Sequence, residues 1–124
     1  MEFVSTTKAP TAIGPYSQAV RHDNILFTSG QIPIDPATGE VDGNTIEQQA
    51  RRSLSNLLTV LEAGGSSAEK ILKTTCFIAD MNDFAAFNQV YSEYISTKPA
   101  RSCVAVKELP KSVLVEVEAV AVID

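Results

Sequence analysis

One histidine and two cysteines among 124 residues leave little material for metal or triad chemistry. A zinc site takes three or four His, Cys or carboxylate ligands, and a Ser-His-Asp hydrolase needs a His beside its nucleophile. The single His22 falls in Arg21-His22-Asp23-Asn24, which reads as a surface hairpin turn. Cys76 and Cys103 show no metal spacing. With no basic-then-apolar secretory segment in Met1 to Ser5, they are expected as two thiols in a reducing cytoplasm. There is no Gly-rich phosphate loop and no dinucleotide fingerprint. Basic charge is scarce: 10 Lys and Arg against 15 Asp and Glu give a net charge of -5. That opposes broad contact with a phosphate backbone, so no nucleic-acid partner is expected. The clustered pair Arg51-Arg52 reads as the solvent face of a helix. No run approaches the roughly 18 apolar residues of a membrane span. Any chemistry is therefore expected to proceed without a metal or an organic cofactor.

What is present is an ordinary globular composition, 44% hydrophobic and 20% charged, long enough for one domain over residues 1–124 with a sizeable core. Phe3 to Thr6 is expected as a short edge strand. Ser17 to Arg21 and Ile25 to Thr28 form a hairpin around Asp23-Asn24. That hairpin ends in Ser29-Gly30-Gln31, where Gly30 allows close backbone approach or positive φ. The strongest helix signal is Thr45 to Ala63. Its stripe of Ile46, Ala50, Leu54, Leu57, Leu58 and Leu61 is capped by Asn44 or Thr45 and stopped by Gly64-Gly65. Leu72 to Ala79 reads as a strand. A second helix, capped by Asn82 or Asp83, carries Phe84, Phe87, Tyr91, Tyr94 and Ile95 on one stripe. The order is β-β-β-α-β-α-β-β, an α+β chain with two helices covering one face of a mixed sheet. The other face keeps apolar residues, with Cys76, Ile78, Val120 and Val122 as candidates, and an apolar face of that size implies a homo-oligomer.

Two late segments are the chemical candidates. In Pro99-Ala100-Arg101-Ser102-Cys103-Val104 the strand period places Arg101 and Cys103 on one face. The Arg101 guanidinium is a planar fork that matches a small carboxylate, although an ordinary surface Arg beside a buried Cys is an equally simple reading. In the last strand, Val113 to Ile123, one face is wholly apolar, while the other reads Leu114, Glu116, Glu118, Val120, Val122. A carboxylate between apolar neighbours sits in a polar pocket, meets a partner at a subunit interface, or is simply solvated on a half-exposed strand.

These segments, with Gly14-Pro15-Tyr16-Ser17-Gln18-Ala19, Ser29-Gly30-Gln31-Ile32-Pro33 and Leu114-Val115-Glu116-Val117-Glu118, resemble the Rid family, also called the YjgF or reactive intermediate deaminase family. The resemblance runs through nearly the whole chain. The presence of both Arg101 and Glu116 is similar to its archetypal, imine-hydrolysing branch. It implies a chorismate-mutase-like fold, a homotrimer with sites between subunits, and hydrolysis of 2-iminobutanoate and 2-iminopropanoate to 2-oxo acids and ammonia. It also implies roles. Arg101 holds the substrate carboxylate, Glu116 handles water and proton, Ser29 and Cys103 line the pocket, and Tyr16 closes it. Asn88 matches a family Asn, but the segment from Asn88 to Arg101 is shorter than in members of the family, which leaves its role open. Between the two glutamates the resemblance favours Glu116.

The alternatives are a non-enzymatic trimer that captures 2-oxo acids, and a ribonuclease or translation inhibitor. A pure carboxylate binder gains nothing from Glu116 beside its ligand. Acidic charge and the lack of a histidine pair weigh against a ribonuclease. The sequence neither supports nor excludes a chaperone-like holdase.

Overall fold

The computed structural model describes residues 1–124 as six strands and two α-helices. The strands are β1 (Glu2–Val4), β2 (Ala19–His22), β3 (Ile25–Thr28), β4 (Ile71–Ile78), β5 (Ala100–Ala105) and β6 (Val115–Val122). The helices are α1 (Ile46–Ala63) and α2 (Phe84–Tyr94). The expected α+β order holds, with short 3-10 turns before β4, α2 and β6. One sheet runs β1-β2-β3-β6-β4-β5. All neighbours are antiparallel except β4 and β5, which are parallel and joined through α2. A parallel pair needs such a crossover, because no tight turn can return a strand in the same direction.

Helix α1 starts where the residue types dictate. The Thr45 side chain accepts from the Gln48 N–H, while the Gln48 side chain accepts from the Thr45 N–H, a reciprocal cap. At the other end Gly64 closes against the sheet. A Cβ there would lie 2.6 Å from the Leu26 side chain, so only glycine lets the helix end so near β3. Leu54, Leu57, Val60 and Leu61 are fully buried against Val115, Val117, Ala119 and Ala121 of β6 and against α2. Each such side chain contributes about 1.5–3 kcal/mol by leaving water. The cap of α2 differs from expectation. Asp80, not Asn82 or Asp83, supplies the side-chain bond, accepting from the Asn82 N–H at the head of the 3-10 turn Met81–Asp83. Strand β1 also stops earlier than its β-branched residues suggest, because the Thr6 N–H pairs with Gln18 Oε1 instead of a strand.

The placement of Cys76 and Ile78 on the uncovered face is overturned. Cys76 pairs with Val117 and Ile78 with Val115, so both share the face packed under the helices and are fully buried. A bulge between Ile71 and Lys73 sets this phase, keeping Ile71 and Thr74 on the inner side. The face without helices is carried instead by Phe27, Phe77, Val104, Val120 and Val122, with Lys73, Glu116 and Glu118 among them. Phe27 and Val104 are 49% and 46% exposed, an apolar sheet face open to solvent in the single chain.

Candidate functional site

Arg101 and Cys103 share a face, as the strand period requires, and that face is the helical one. Their in-register partners on β4 are the buried Thr74 and Cys76. Arg101 lies at the open edge of the sheet, since β5 is the last strand. Its Nη1 donates to Asn88 Oδ1 at 2.8 Å. The guanidinium carbon stands 4.9 Å from the Tyr91 ring centroid and 5.6 Å from that of Phe84. A flat cation stacked on two rings and held by one amide keeps part of its donor fork free for a carboxylate. Tyr91 is fixed in turn by a 2.7 Å bond between its hydroxyl and that of Thr74. Asn88, whose part the sequence left open, is thus the residue that orients Arg101.

Cys103 is half-buried beside Arg101, and its thiol is pushed up by burial more than the guanidinium lowers it. Cys76, fully enclosed, is pushed up to about 12 by burial. Nucleophilic cysteines need a depressed pKa, so both thiols behave as packing groups near neutral pH.

Glu116 projects from the other face of β6, between the buried Val115 and Val117 and opposite Phe77 of β4. Burial first, and the Glu118 carboxylate second, raise its pKa above the ordinary carboxyl value. Its carboxylate lies against Gly30. A Cβ on that residue would sit 2.7 Å from Glu116 Cδ and closer still to Oε2. Gly30 serves close approach, not positive φ. Next to it, Gln31 exchanges two backbone bonds with Val117, of 2.8 and 3.2 Å, which fastens the segment to β6. The Ser29 hydroxyl donates to the Ser17 carbonyl at 2.5 Å, tying the segment to the end of the Pro15-Tyr16-Ser17 turn. Tyr16 is half-exposed, and its hydroxyl accepts from the Ile13 N–H at 3.3 Å. It shares with Gly30 the lining of a cavity of about 190 Å³.

The structure therefore sorts the expected residues into two groups. Arg101 and Cys103, with Asn88, Phe84 and Tyr91, stand on the helical face at the β5 edge. Glu116, Ser29 and Tyr16, with Gly30, gather around the other face and the loop beside it. Glu118 shares the face of Glu116 but stands opposite Thr75, beside Lys73 and Phe27.

A row of buried polar residues on α1, hidden in the sequence among its leucines, holds the second group in place. Ser53 Oγ donates to the Gln31 carbonyl at 2.6 Å. Asn56 Nδ2 donates to the carbonyls of Ile32 and Ile34 at 3.1 and 2.9 Å. Gln49 donates to the Gly43 carbonyl and accepts from the Leu114 N–H, two residues before Glu116. Their spacing of four and then three residues puts them on one helical stripe. That polar spacing was the available signal. Arg52 adds a 2.8 Å ion pair with Asp42 at the loop's far end.

Among residues 1–124 no group of three or more His, Cys, Asp or Glu is placed to hold a metal ion. No helix is long and apolar enough to cross a membrane.

Comparison with known proteins identifies the family. A RutC family protein of Pyrococcus horikoshii is 51% identical over 121 residues, 97% of this chain and 96% of that protein. The Escherichia coli protein named 2-iminobutanoate/2-iminopropanoate deaminase is 50% identical over 123 residues, covering 96% of this chain and 95% of its own. The crystal structure of E. coli TdcF with bound serine superposes with a TM-score of 0.96 at 46% identity, covering 100% of both chains. The family model described as Endoribonuclease L-PSP matches residues 6–123, and the chain belongs to that family, the YjgF/RutC/Rid family of its relatives.

Proposed function

We propose that the protein is a 2-iminobutanoate/2-iminopropanoate deaminase that needs no cofactor and works as a homotrimer with its sites between copies. The observation that carries this reading is the placement of Arg101 and Glu116 on opposite faces of one sheet. No small substrate reaches both within one chain, yet an edge cation and an open-face carboxylate meet when the β5 edge of one copy approaches the open face of the next. The exposed apolar face around Phe27, Val104 and Val120 supports such packing. The deaminases among the relatives, about half identical over nearly the whole chain, support the reaction.

The chemistry fits the residues. Arg101 anchors the 2-imino acid by its carboxylate, which fixes the imine carbon and lowers the entropic cost of attack. Glu116, ionised, takes a proton from water as its oxygen bonds to the imine carbon and the C=N pair moves onto nitrogen. Glu116 gives that proton to the nitrogen, then takes the carbinolamine's hydroxyl proton and delivers it to the same nitrogen as the C=O bond forms and the C–N bond breaks, releasing ammonia. A carboxyl raised above its usual value is suited to both steps near neutral pH. Lining contributions from Ser29, Cys103 and Tyr16 complete the reading, in which the preferred partners are small 2-imino and 2-oxo acids. Glu116 beside the ligand disfavours a pure 2-oxo acid binder.

The test couples a threonine dehydratase to the purified protein and follows 2-oxobutanoate release against a semicarbazide trap. Wild type is expected to speed release, and Arg101→Ala and Glu116→Ala are each expected to lose the effect. Unfolding the two variants together and refolding them as mixed trimers restores up to about a quarter of wild-type activity, because an intact Arg101 then meets an intact Glu116 of a neighbour. No recovery in correctly assembled mixtures sinks the shared site. No acceleration by wild type sinks the deaminase.

A further inference from the structure

The cavity lined by Tyr16 and Gly30 is larger than the substrates named above need. Its volume is about 190 Å³, whereas a cavity of about 150 Å³ holds a benzene molecule. An ethyl or methyl side chain leaves most of it empty. It continues from the Glu116 group, with which it shares Tyr16 and Gly30.

Two of its polar groups are unspent. Gln31 is 5% exposed, and its Nε2 donates to the Ser29 carbonyl at 3.3 Å. That bond fixes which end of the amide is oxygen. Oε1 accepts no hydrogen bond from the protein and is not among the fully enclosed atoms, and the residue lines the cavity. Lys111 is the one charged residue of the lining and takes part in no ion pair. It is held at φ 57°, with Ser112 beside it at φ 54°, a left-handed pair of non-glycine residues. Ile34 and Pro36 supply apolar wall between these polar groups.

A free acceptor and a free cation on the lining of one cavity match a side chain that both accepts and donates. We infer that this cavity receives the substrate's side chain and selects 2-imino acids ending in a carboxamide, with the amide oxygen on Lys111 and the amide N–H on Gln31 Oε1. A carboxylate end satisfies Lys111 but meets the lone pairs of Oε1. An alkyl end leaves the largely buried Gln31 without a partner at Oε1, which costs more than the lost contact alone, and forgoes the bond from Lys111. The inference rests on the deaminase reading.

Three side chains of nearly one shape separate the possibilities. Matched amino-acid oxidases generate the imines of asparagine, aspartate and leucine in place, with the imine of alanine as reference, and oxo-acid release is followed against the semicarbazide trap. The wild-type kcat/KM is expected to favour the carboxamide imine over the isopropyl imine by about tenfold or more, because a site built to hydrogen-bond rejects the isostere that cannot. Lys111→Met is expected to erase most of that ratio, and Gln31→Met to do the same. Should Gln31→Met misfold, the exposed Lys111 decides. A wild-type ratio near one, or a ratio that Lys111→Met leaves in place, overturns the assignment. The aspartate-derived imine emerging as the best substrate also overturns it, leaving Lys111 as a plain counter-charge. Turnover of the alanine imine alongside any of these results keeps the deaminase and removes only the pocket. No turnover of any imine removes both.

Discussion

The Glu116 carboxylate occupies the space that a side chain on Gly30 would fill. The two residues are brought together by the Gln31–Val117 backbone pair, and the missing Cβ of the glycine makes room for the carboxylate. Gly30→Ala is expected to push Glu116 aside, since a Cβ 2.7 Å from Cδ cannot coexist with it. A carboxylate displaced by about 1 Å loses about a hundredfold in rate. Steady-state imine hydrolysis checks this, with an unchanged far-ultraviolet circular dichroism spectrum showing that the fold persists. Native activity in the variant refutes the positional role.

Asn88 meets Arg101 through one amide oxygen, and hydrogen bonds to charged groups contribute about 1.5–3 kcal/mol. The pair is partly exposed, which argues for the lower end. Asn88→Ala is expected to lower kcat/KM by about tenfold, because the freed guanidinium still binds but holds the imine carbon in more orientations. An unchanged kcat/KM contradicts this.

Glu116 provides a pH signature. Its folded-state pKa lies above the ordinary carboxyl value, chiefly through burial. The folded protein therefore binds the proton more tightly than the unfolded chain. The contribution to stability is complete below the unfolded pKa and is lost as pH rises through the folded one. Glu116→Gln is thus expected to raise the thermal midpoint at neutral pH, with the gain vanishing under acid conditions where both states are protonated. Thermal scans across that window measure it, and a lower midpoint at neutral pH refutes it. The same variant is expected to lose imine hydrolysis, a trade of activity for stability.

Asn56 is 1% exposed and satisfies two loop carbonyls at once. Asn56→Leu leaves the buried Ile34 carbonyl unpaired, at about 1–3 kcal/mol, while the Ile32 carbonyl keeps the Ile34 N–H at 2.8 Å. Urea unfolding is expected to show a loss of about 1–3 kcal/mol with an unchanged slope. A loss under 1 kcal/mol means that water replaces the amide.

Much of this was legible in order and little of it in phase. The heptad-like stripe of α1 and the alternation of β6 announced their buried faces, because one period governs a regular element throughout. Strand β4 misled, since the bulge near Leu72 reversed which side Cys76 and Ile78 occupy, and a bulge has no fixed residue signature. The strand period paired Arg101 with Cys103 correctly. It did not show that Glu116 stands on the opposite face, because relative facing of two strands depends on their register with β4 between them. Gln49, Ser53 and Asn56 went unread because their partners are backbone N–H and carbonyl groups, which carry no sequence identity.

Strand β6 follows the other five strands in the chain and joins β3 to β4 in the sheet. Until it is in place the polypeptide carries two partial sheets, β1-β2-β3 and β4-β5, each with a bare inner edge. Once β4 and β5 have paired, those two sticky edges must stay apart until β6 fills the gap, and any damage to β6 strikes the centre of the molecule.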